Sequence, residues 1–349
     1  MKIVIFSTQS WSDFWVSKHW LAYFLSVNGH KVTFVEPFVN RANRDVVISD
    51  TLIVRKKGVR LPYFYRYNLI LKVIYYKLTY SEEVDSADIV ISFDPSAAVA
   101  SSISFRRKQI IYYSVDPPLG FGRLYEELFA NKLSAKAFTV NAQRSSLSKS
   151  SLVKWEFLPH AFLNINKEYV LSDLQKQVLS NRSVCHIIYI GSLNGSYVDI
   201  GVVEMITSNP KLCLHVFGPQ SNSALSESDS YTVDILKSEV HMWGGVNYSE
   251  IASLLANFDA GILLYNKSKL RNGLRKSPLK LANYIANKLP VITTDIPGIY
   301  NYPIQDMYIV NTEGPDVLET FIEDWEEQKL KTVSEYFDPE AIAHKILDV

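Results

Sequence analysis

Short apolar runs that stop at glycine or at helix-capping residues recur along this chain in two series, alternating with helix-like segments. Lys2–Ser7 is the first β-rich run, and Ser10, Ser12 and Asp13 then offer helix caps. Val16, Trp20, Tyr23, Phe24 and Val27 follow at i, i+4, i+7, i+8 and i+11, one face of a helix. Asn28-Gly29-His30 stops it, and Val32–Val35 resumes as strand. That is a β-α-β unit, which calls for a parallel sheet. Ile89–Phe93, Ile110–Tyr113 and Ala137–Val140 read as further buried strands.

A polar stretch from Leu163 to Asn181 interrupts the alternation, which then begins again. Strands are expected at His186–Ile190, Leu212–Phe217, Val240–Trp243, Gly261–Tyr265 and Val291–Thr294. Helices are expected near Tyr197–Thr207, Ser249–Asn257 and Pro278–Asn287. A chain of 349 residues is too long for one ordinary core. The reading is therefore α/β, with two Rossmann-like doubly wound domains, residues 1–165 and 183–334, facing a central cleft. In such sheets ligands bind beyond the carboxyl ends of the strands.

Composition excludes several classes. No apolar stretch reaches the ~18 residues of a membrane span. The apolar run at Met1–Ser7 gives way at once to Thr8, Gln9 and Ser10, so it reads as a strand and not a signal peptide. Cys185 and Cys213 stand singly in apolar runs and form neither a disulfide framework nor a metal knuckle. A cytoplasmic protein is expected.

The net charge of zero conceals a division: residues 1–165 carry 21 Lys+Arg against 13 Asp+Glu, a net of +8, and the remainder balances it. From Thr51 to Ser81 there is no acid, and Arg55, Lys56, Lys57, Arg60 and Arg66 interleave with Tyr63 and Phe64. Basic heads on aromatic bodies suit an anionic bilayer surface. A solvated helix with its aromatics turned inward is the other reading. Nucleic acid is not supported, because no recognition module accompanies the patch.

The strongest local signal for chemistry is Ser277-Pro278-Leu279-Lys280. Serine is a preferred N-cap and proline is favoured at the first helical position. The unpaired N–H groups of such a helix start attract anions; Lys280 adds a charge, and Arg271, Arg275 and Lys276 precede it. A diphosphate fits there, and an ordinary capped helix with solvated basic neighbours has the same spacing. Gly191-Ser192 ends a strand and lets backbone N–H groups approach a phosphate, although a plain β-α turn reads the same. No G-x-G-x-x-G or Walker loop is present.

Two Asp-Pro pairs, Asp94-Pro95 and Asp116-Pro117, follow strands of the first domain. A carboxylate at a cleft can take the proton of an attacking sugar hydroxyl. Asp94 suits a helix cap better, whereas Asp116 leads into a Pro-Pro-Leu-Gly loop that leaves its carboxylate free. There is no Asp-x-Asp or H-E-x-x-H, so no metal is expected; His186 and His215 read as core residues within strands.

The segments LPHAFLN, IYIGSLNG, LHVFGP, VHMWGGVNYSEIASLLANFDAGILLY and SPLKLANYIANKLPVITT, in that order, resemble GT-B glycosyltransferases over nearly the whole chain. The last is similar to the SPLKLxEYxAxGxPV run of polysaccharide-assembling transferases. The end of the chain, about 335–349, resembles the terminal helix that crosses back onto the first domain in that fold. The broad family 4-like transferases carry a Glu-x7-Glu pair, whose places are held here by Arg275 and Asn283. An amide at the second place is similar to the xanthan glucuronosyltransferase, and Tyr112–Pro117 is similar to its YRASDG segment.

The resemblance implies a transferase moving a sugar from a UDP-linked donor to a lipid-linked or growing polysaccharide acceptor in capsule, exopolysaccharide or lipopolysaccharide synthesis. The enzyme would be peripheral on the inner membrane face and use no cofactor. It nominates Asp116 as the base of an inverting transfer, with Asp94 second. Lys280 becomes the diphosphate partner, beside Ser277, Pro278 and Leu279, with Arg271, Arg275, Gly191 and Ser192 near. Asn283 becomes the ribose contact, and Gly245 and Val246 the nucleobase contacts. The rival expectations are a non-catalytic partner subunit, suggested by the two missing glutamates, and a nucleotide-sugar 2-epimerase.

Overall fold

The computed structural model describes residues 1–11, 15–36, 45–56, 68–105, 108–115, 121–140, 155–158, 160, 167–191, 198–218, 240–266, 279–296, 299, 307–310, 316–330 and 339–347. The chain divides into two compact units, Met1–Leu163 with Pro339–Val349, and Asn164–Asp338.

The sheet of the first unit comprises β1 (Lys2–Phe6), β2 (Lys31–Val35), β3 (Val46–Ser49), β4 (Leu52–Arg55), β5 (Ile89–Ser92), β6 (Gln109–Ser114), β7 (Lys136–Thr139) and β8 (Glu156–Phe157). They lie in the order β3-β4-β2-β1-β5-β6-β7-β8, parallel throughout except for the β3–β4 pair. The chain winds outward in both directions from the β1–β5 pair. On one face α1 (Ser17–Val27) and α10 (Pro339–Leu347) pack through Leu21, Leu25, Ile342 and Ile346. On the other face lie α2 (Leu69–Ser86), α3 (Pro95–Ser104) and α4 (Phe121–Leu133), packed through Tyr75, Tyr80, Ala97, Ala98 and Ala130. Each fully buried aliphatic or aromatic side chain contributes roughly 1.5–3 kcal/mol relative to exposure.

Two local expectations change. Helix α1 begins at Ser17 with Val16 as N-cap and not at Ser10; Ser12 and Asp13 lie outside the described residues. His19 supplies the missing acceptor, its Nδ1 taking the Val16 N–H at 3.0 Å while Nε2 donates to the Ser10 carbonyl. The buried arc is centred on Trp20, Leu21, Ala22 and Leu25, and Val27 is exposed, because α1 is covered by both the sheet and α10. The described ends of the basic-aromatic stretch are a strand, Leu52–Arg55, and a helix, Leu69–Ser86. Asn68 caps α2 by accepting from Ile70 and Leu71 N–H, and Tyr76 and Tyr80 turn inward edge-on to Phe6.

The sheet of the second unit comprises β9 (Cys185–Ile190), β10 (Leu212–Phe217), β11 (His241–Gly244), β12 (Ala260–Leu263), β13 (Val291–Thr294) and β14 (Met307–Val310). Their order is β11-β10-β9-β12-β13-β14, every pair parallel. The winding reverses between β9 and β12, which makes that pair the topological switch point. Among the described residues of this unit the α-helices are α5 (Asp173–Leu179), α6 (Ile200–Thr207), α7 (Ile251–Leu255), α8 (Leu279–Ala286) and α9 (Asp316–Glu326).

Candidate anion site at the switch point of the second unit

Strands β9 and β12 pair only at Ala260–Ile187 and Gly261–Ile188, then part toward their carboxyl ends. The Tyr284 hydroxyl enters the gap. It accepts the Ile190 N–H at 3.2 Å and lies 3.2 Å from the carbonyl oxygens of Ile188 and Ile262. One phenol thus meets backbone groups that the ladder has left behind, which would otherwise be buried without partners. Its ring reaches this place by crossing Gly261, where an added Cβ would stand 2.4 Å from the ring.

Tyr284 belongs to α8, and the same helix delivers Lys280. The Lys280 ammonium donates to the Tyr189 hydroxyl at 2.6 Å, lies 3.9 Å from the centre of that ring and 5.5 Å from the Tyr265 ring. Gly191, at φ +137°, leaves room for it. The side chain is half-buried, and desolvation lowers its pKa from 10.5 to about 7. A cation held against ring faces in so dry a place gains strongly from an anion brought beside it.

The carboxyl ends of β9 and β10 stay close together. Gly191 N–H donates to the Phe217 carbonyl at 2.7 Å, and Gly218 N–H to the Gly244 carbonyl at 2.8 Å. An added Cβ on Gly218 would meet the Gly191 carbonyl oxygen at 2.1 Å, so the approach needs bare backbone. Gly245 and Val246 follow β11 directly. Asn283, one turn beyond Lys280, is buried, and its Oδ1 accepts from the Tyr248 hydroxyl at 2.9 Å. Ser277, Pro278, Arg271, Arg275 and Ser192 lie outside the described residues, as does Asp116. Tyr189 and Tyr265 at strand ends, and Tyr248 and Tyr284 in helical turns, escaped the sequence reading, since a tyrosine in either place is indistinguishable there from core.

In the first unit Asp94 caps α3, its Oδ1 accepting from Ser96 N–H at 2.7 Å and Ala97 N–H at 3.3 Å. Arg55 pairs with Asp45 and Glu83, and Lys56 with Glu36. Lys57, Arg60, Tyr63, Phe64 and Arg66 lie outside the described residues.

One further cluster could hold a metal by distance: donor atoms of His186, Cys213 and His215 all lie within 4.8 Å of one another. The hydrogen bonds argue otherwise. Trp243 Nε1–H, which can only donate, points at His215 Nδ1 at 3.0 Å. The remaining proton of neutral His215 is therefore on Nε2, 3.0 Å from His186 Nδ1, and His186 Nε2 then donates to the Asn181 carbonyl. A metal on His215 Nε2 would require an imidazolate. Desolvation first, with the neighbouring imidazoles His186 and His241, lowers the His215 pKa to about 3.

No protein-family model and no curated protein matches the chain. Solved structures do. Sucrose-phosphate synthase from Thermosynechococcus elongatus superposes with a TM-score of 0.69 at 12% identity, covering 99% of this chain and 96% of that one. WaaG, a glycosyltransferase involved in lipopolysaccharide biosynthesis, gives 0.59 at 14% identity, covering 99% and 100%. HepE of Anabaena in complex with UDP and glucose gives 0.60 at 15% identity, covering 99% and 95%. The fold is that of the GT-B glycosyltransferases, two parallel-sheet units in one chain.

Proposed function

We propose that this protein is a glycosyltransferase that takes its sugar from a nucleoside diphosphate donor, UDP-linked by preference. One observation carries the reading: the Lys280 ammonium stands among tyrosine rings at the switch point of the second sheet, beside a strand end closed by Gly191. The neighbours lend support, since HepE was captured with UDP and with UDP-glucose.

The donor diphosphate would lie against Lys280 and the start of α8, with Gly245 and Val246 toward the nucleobase. The acceptor oxygen attacks the anomeric carbon as the bond from that carbon to the diphosphate oxygen breaks. The growing negative charge on the leaving UDP is then met by a fixed cation, which lowers the barrier. Asp116 takes the acceptor proton, and the sugar inverts. Asp94 is poorly suited to that task while its carboxylate caps α3. Asn283 reaches a ribose through its amide nitrogen, because Tyr248 engages its oxygen. The acceptor is read as a lipid-linked or growing polysaccharide, met at the inner membrane face, and no metal is assigned.

Lys280→Met should remove most of the thermal stabilisation that UDP confers, which follows from binding by mass action. Unchanged stabilisation would eliminate the site. Asp116→Asn should abolish transfer from UDP-sugars while UDP still binds.

A further inference from the structure

Helix α4 is inside out. Its carboxylates face the protein: Glu126 is 6% exposed and Glu127 2%. Glu126 pairs with Lys72 of α2 at 2.6 Å and accepts from Ser96 Oγ, while Glu127 accepts from Ser114 Oγ and from the Tyr112 hydroxyl. Its large apolar residues, among those described, face outward instead: Tyr125 is 63% exposed, and Leu124, Leu128, Phe129 and Leu133 are each more than 40% exposed. The neighbouring helices of the same layer continue the surface. Ile70, Ile74 and Leu78, spaced one turn apart, stand 70%, 49% and 78% exposed on α2, and Ile103 is exposed on α3. Globular proteins seldom leave so many large apolar side chains together in water.

We infer that this α2–α4 face docks on a bilayer carrying anionic headgroups. Charge selects that occupant. The exposed cations Lys77 and Lys132 flank the apolar residues, and α4 turns both its carboxylates away. On α2 the exposed acids Glu82 and Asp85 come only after the apolar stripe has ended. The chain from Thr51 to Ser81, which includes the first part of α2, contains no acid. Leucine, phenylalanine and tyrosine with lysines at the margin are the side chains that settle at the headgroup and acyl boundary. The inference rests on the membrane-face part of the proposed function and not on its donor part: the surface belongs to the first unit and Lys280 to the second. It also differs from the Arg55–Arg66 stretch, whose described members Arg55 and Lys56 are engaged in ion pairs.

The test is sedimentation of the full chain with vesicles of phosphatidylcholine and phosphatidylglycerol in equal parts, against phosphatidylcholine alone. The protein should sediment with the mixed vesicles and far less with the neutral ones. Leu128→Ser/Phe129→Ser should lower partitioning about tenfold or more, from the apolar area no longer buried. Lys77→Ser/Lys132→Ser should lower it about twenty-five-fold at low salt, at about fivefold per lysine. Leu124→Ser/Leu133→Ser repeats the first test at separate positions. All replaced residues are exposed, so melting temperature and UDP stabilisation should hold, which separates failure here from failure of the donor site. Equal sedimentation of every variant, or none by the unaltered protein, would overturn the inference. So would a dimer of the unaltered protein that Leu128→Ser/Phe129→Ser dissolves, since a second copy would then be the occupant.

Discussion

A Cβ on Gly191 would stand 2.7 Å from both Cε and Nζ of Lys280, so the lysine occupies the space that the glycine leaves. The pair explains why a strand end and a helix start about ninety positions apart make a single site.

Gly191→Ala should therefore displace Lys280 without unfolding the unit. The substitution meets both a φ of +137° and the lysine side chain. A stability loss of about 1–3 kcal/mol is expected from the backbone strain, with UDP affinity falling about tenfold or more. Calorimetric titration with UDP beside thermal melting separates the two effects.

Donor binding should take up protons. Free Lys280 titrates near about 7, and an adjacent diphosphate favours its charged form, so its pKa rises in the complex. Between that value and 10.5, UDP affinity should weaken as pH rises, and binding enthalpy should depend on the ionisation heat of the buffer. Lys280→Arg, charged throughout, should lose the buffer dependence. For stability the sign is opposite to that of a favourable pair. Burial penalises the ammonium fully below about 7, and the penalty disappears as pH rises toward 10.5. Lys280→Met should thus gain most over the native chain at low pH.

Tyr284→Phe should cost about 1–3 kcal/mol for each backbone group left dry among Ile190 N–H and the Ile188 and Ile262 carbonyls, less what water recovers. Gly261→Ala should also destabilise by about 1–3 kcal/mol or more, since its methyl would overlap the ring. Denaturant unfolding of both variants measures this.

Zinc should not raise the melting temperature while Trp243 holds the His215 tautomer. In Trp243→Phe, His215 can carry its proton on Nδ1 and offer Nε2 beside Cys213 and His186, and a zinc response should appear. The native cluster contributes stability that is whole above 6.5 and declines as pH falls toward the His215 value of about 3.

Replacing Asp94 with alanine should lower stability by about 1 kcal/mol, the ordinary loss for an N-cap. Thermal melting reads it, and UDP binding should not change.

The central strands of each unit were legible because they are short, apolar and closed by glycine or caps, whereas β3, β4, β8 and β14 at the sheet margins were not read. Leu212–Phe217 and Val291–Thr294 fall at the bounds the sequence suggested. Helix α2 was harder to see, as Tyr75, Tyr76 and Lys77 mix inward and outward positions, and partner geometry decides which is which. Helix α4 misleads instead: Leu124, Tyr125, Leu128, Phe129 and Leu133 form an apolar stripe at helical spacing that reads as an inward face, yet Glu126, Glu127 and Asn131 are the buried side. Within the site, Lys280 and Gly191 stood out through cap and turn chemistry. Tyr189 and Tyr284 could not, because their roles depend on strands meeting across the sheet, and single-chain spacing does not encode that.

Tyr284 ties the crevice to the integrity of the sheet. The helix that presents the lysine also plugs the fork between two strands, so a shift of the whole helix disturbs both, although the lysine alone can be exchanged. Displacement of α8 that drew Lys280 from Tyr189 would at the same time unzip the floor beneath it. Placement of the cation and closure of the sheet therefore depend on the same few turns of chain.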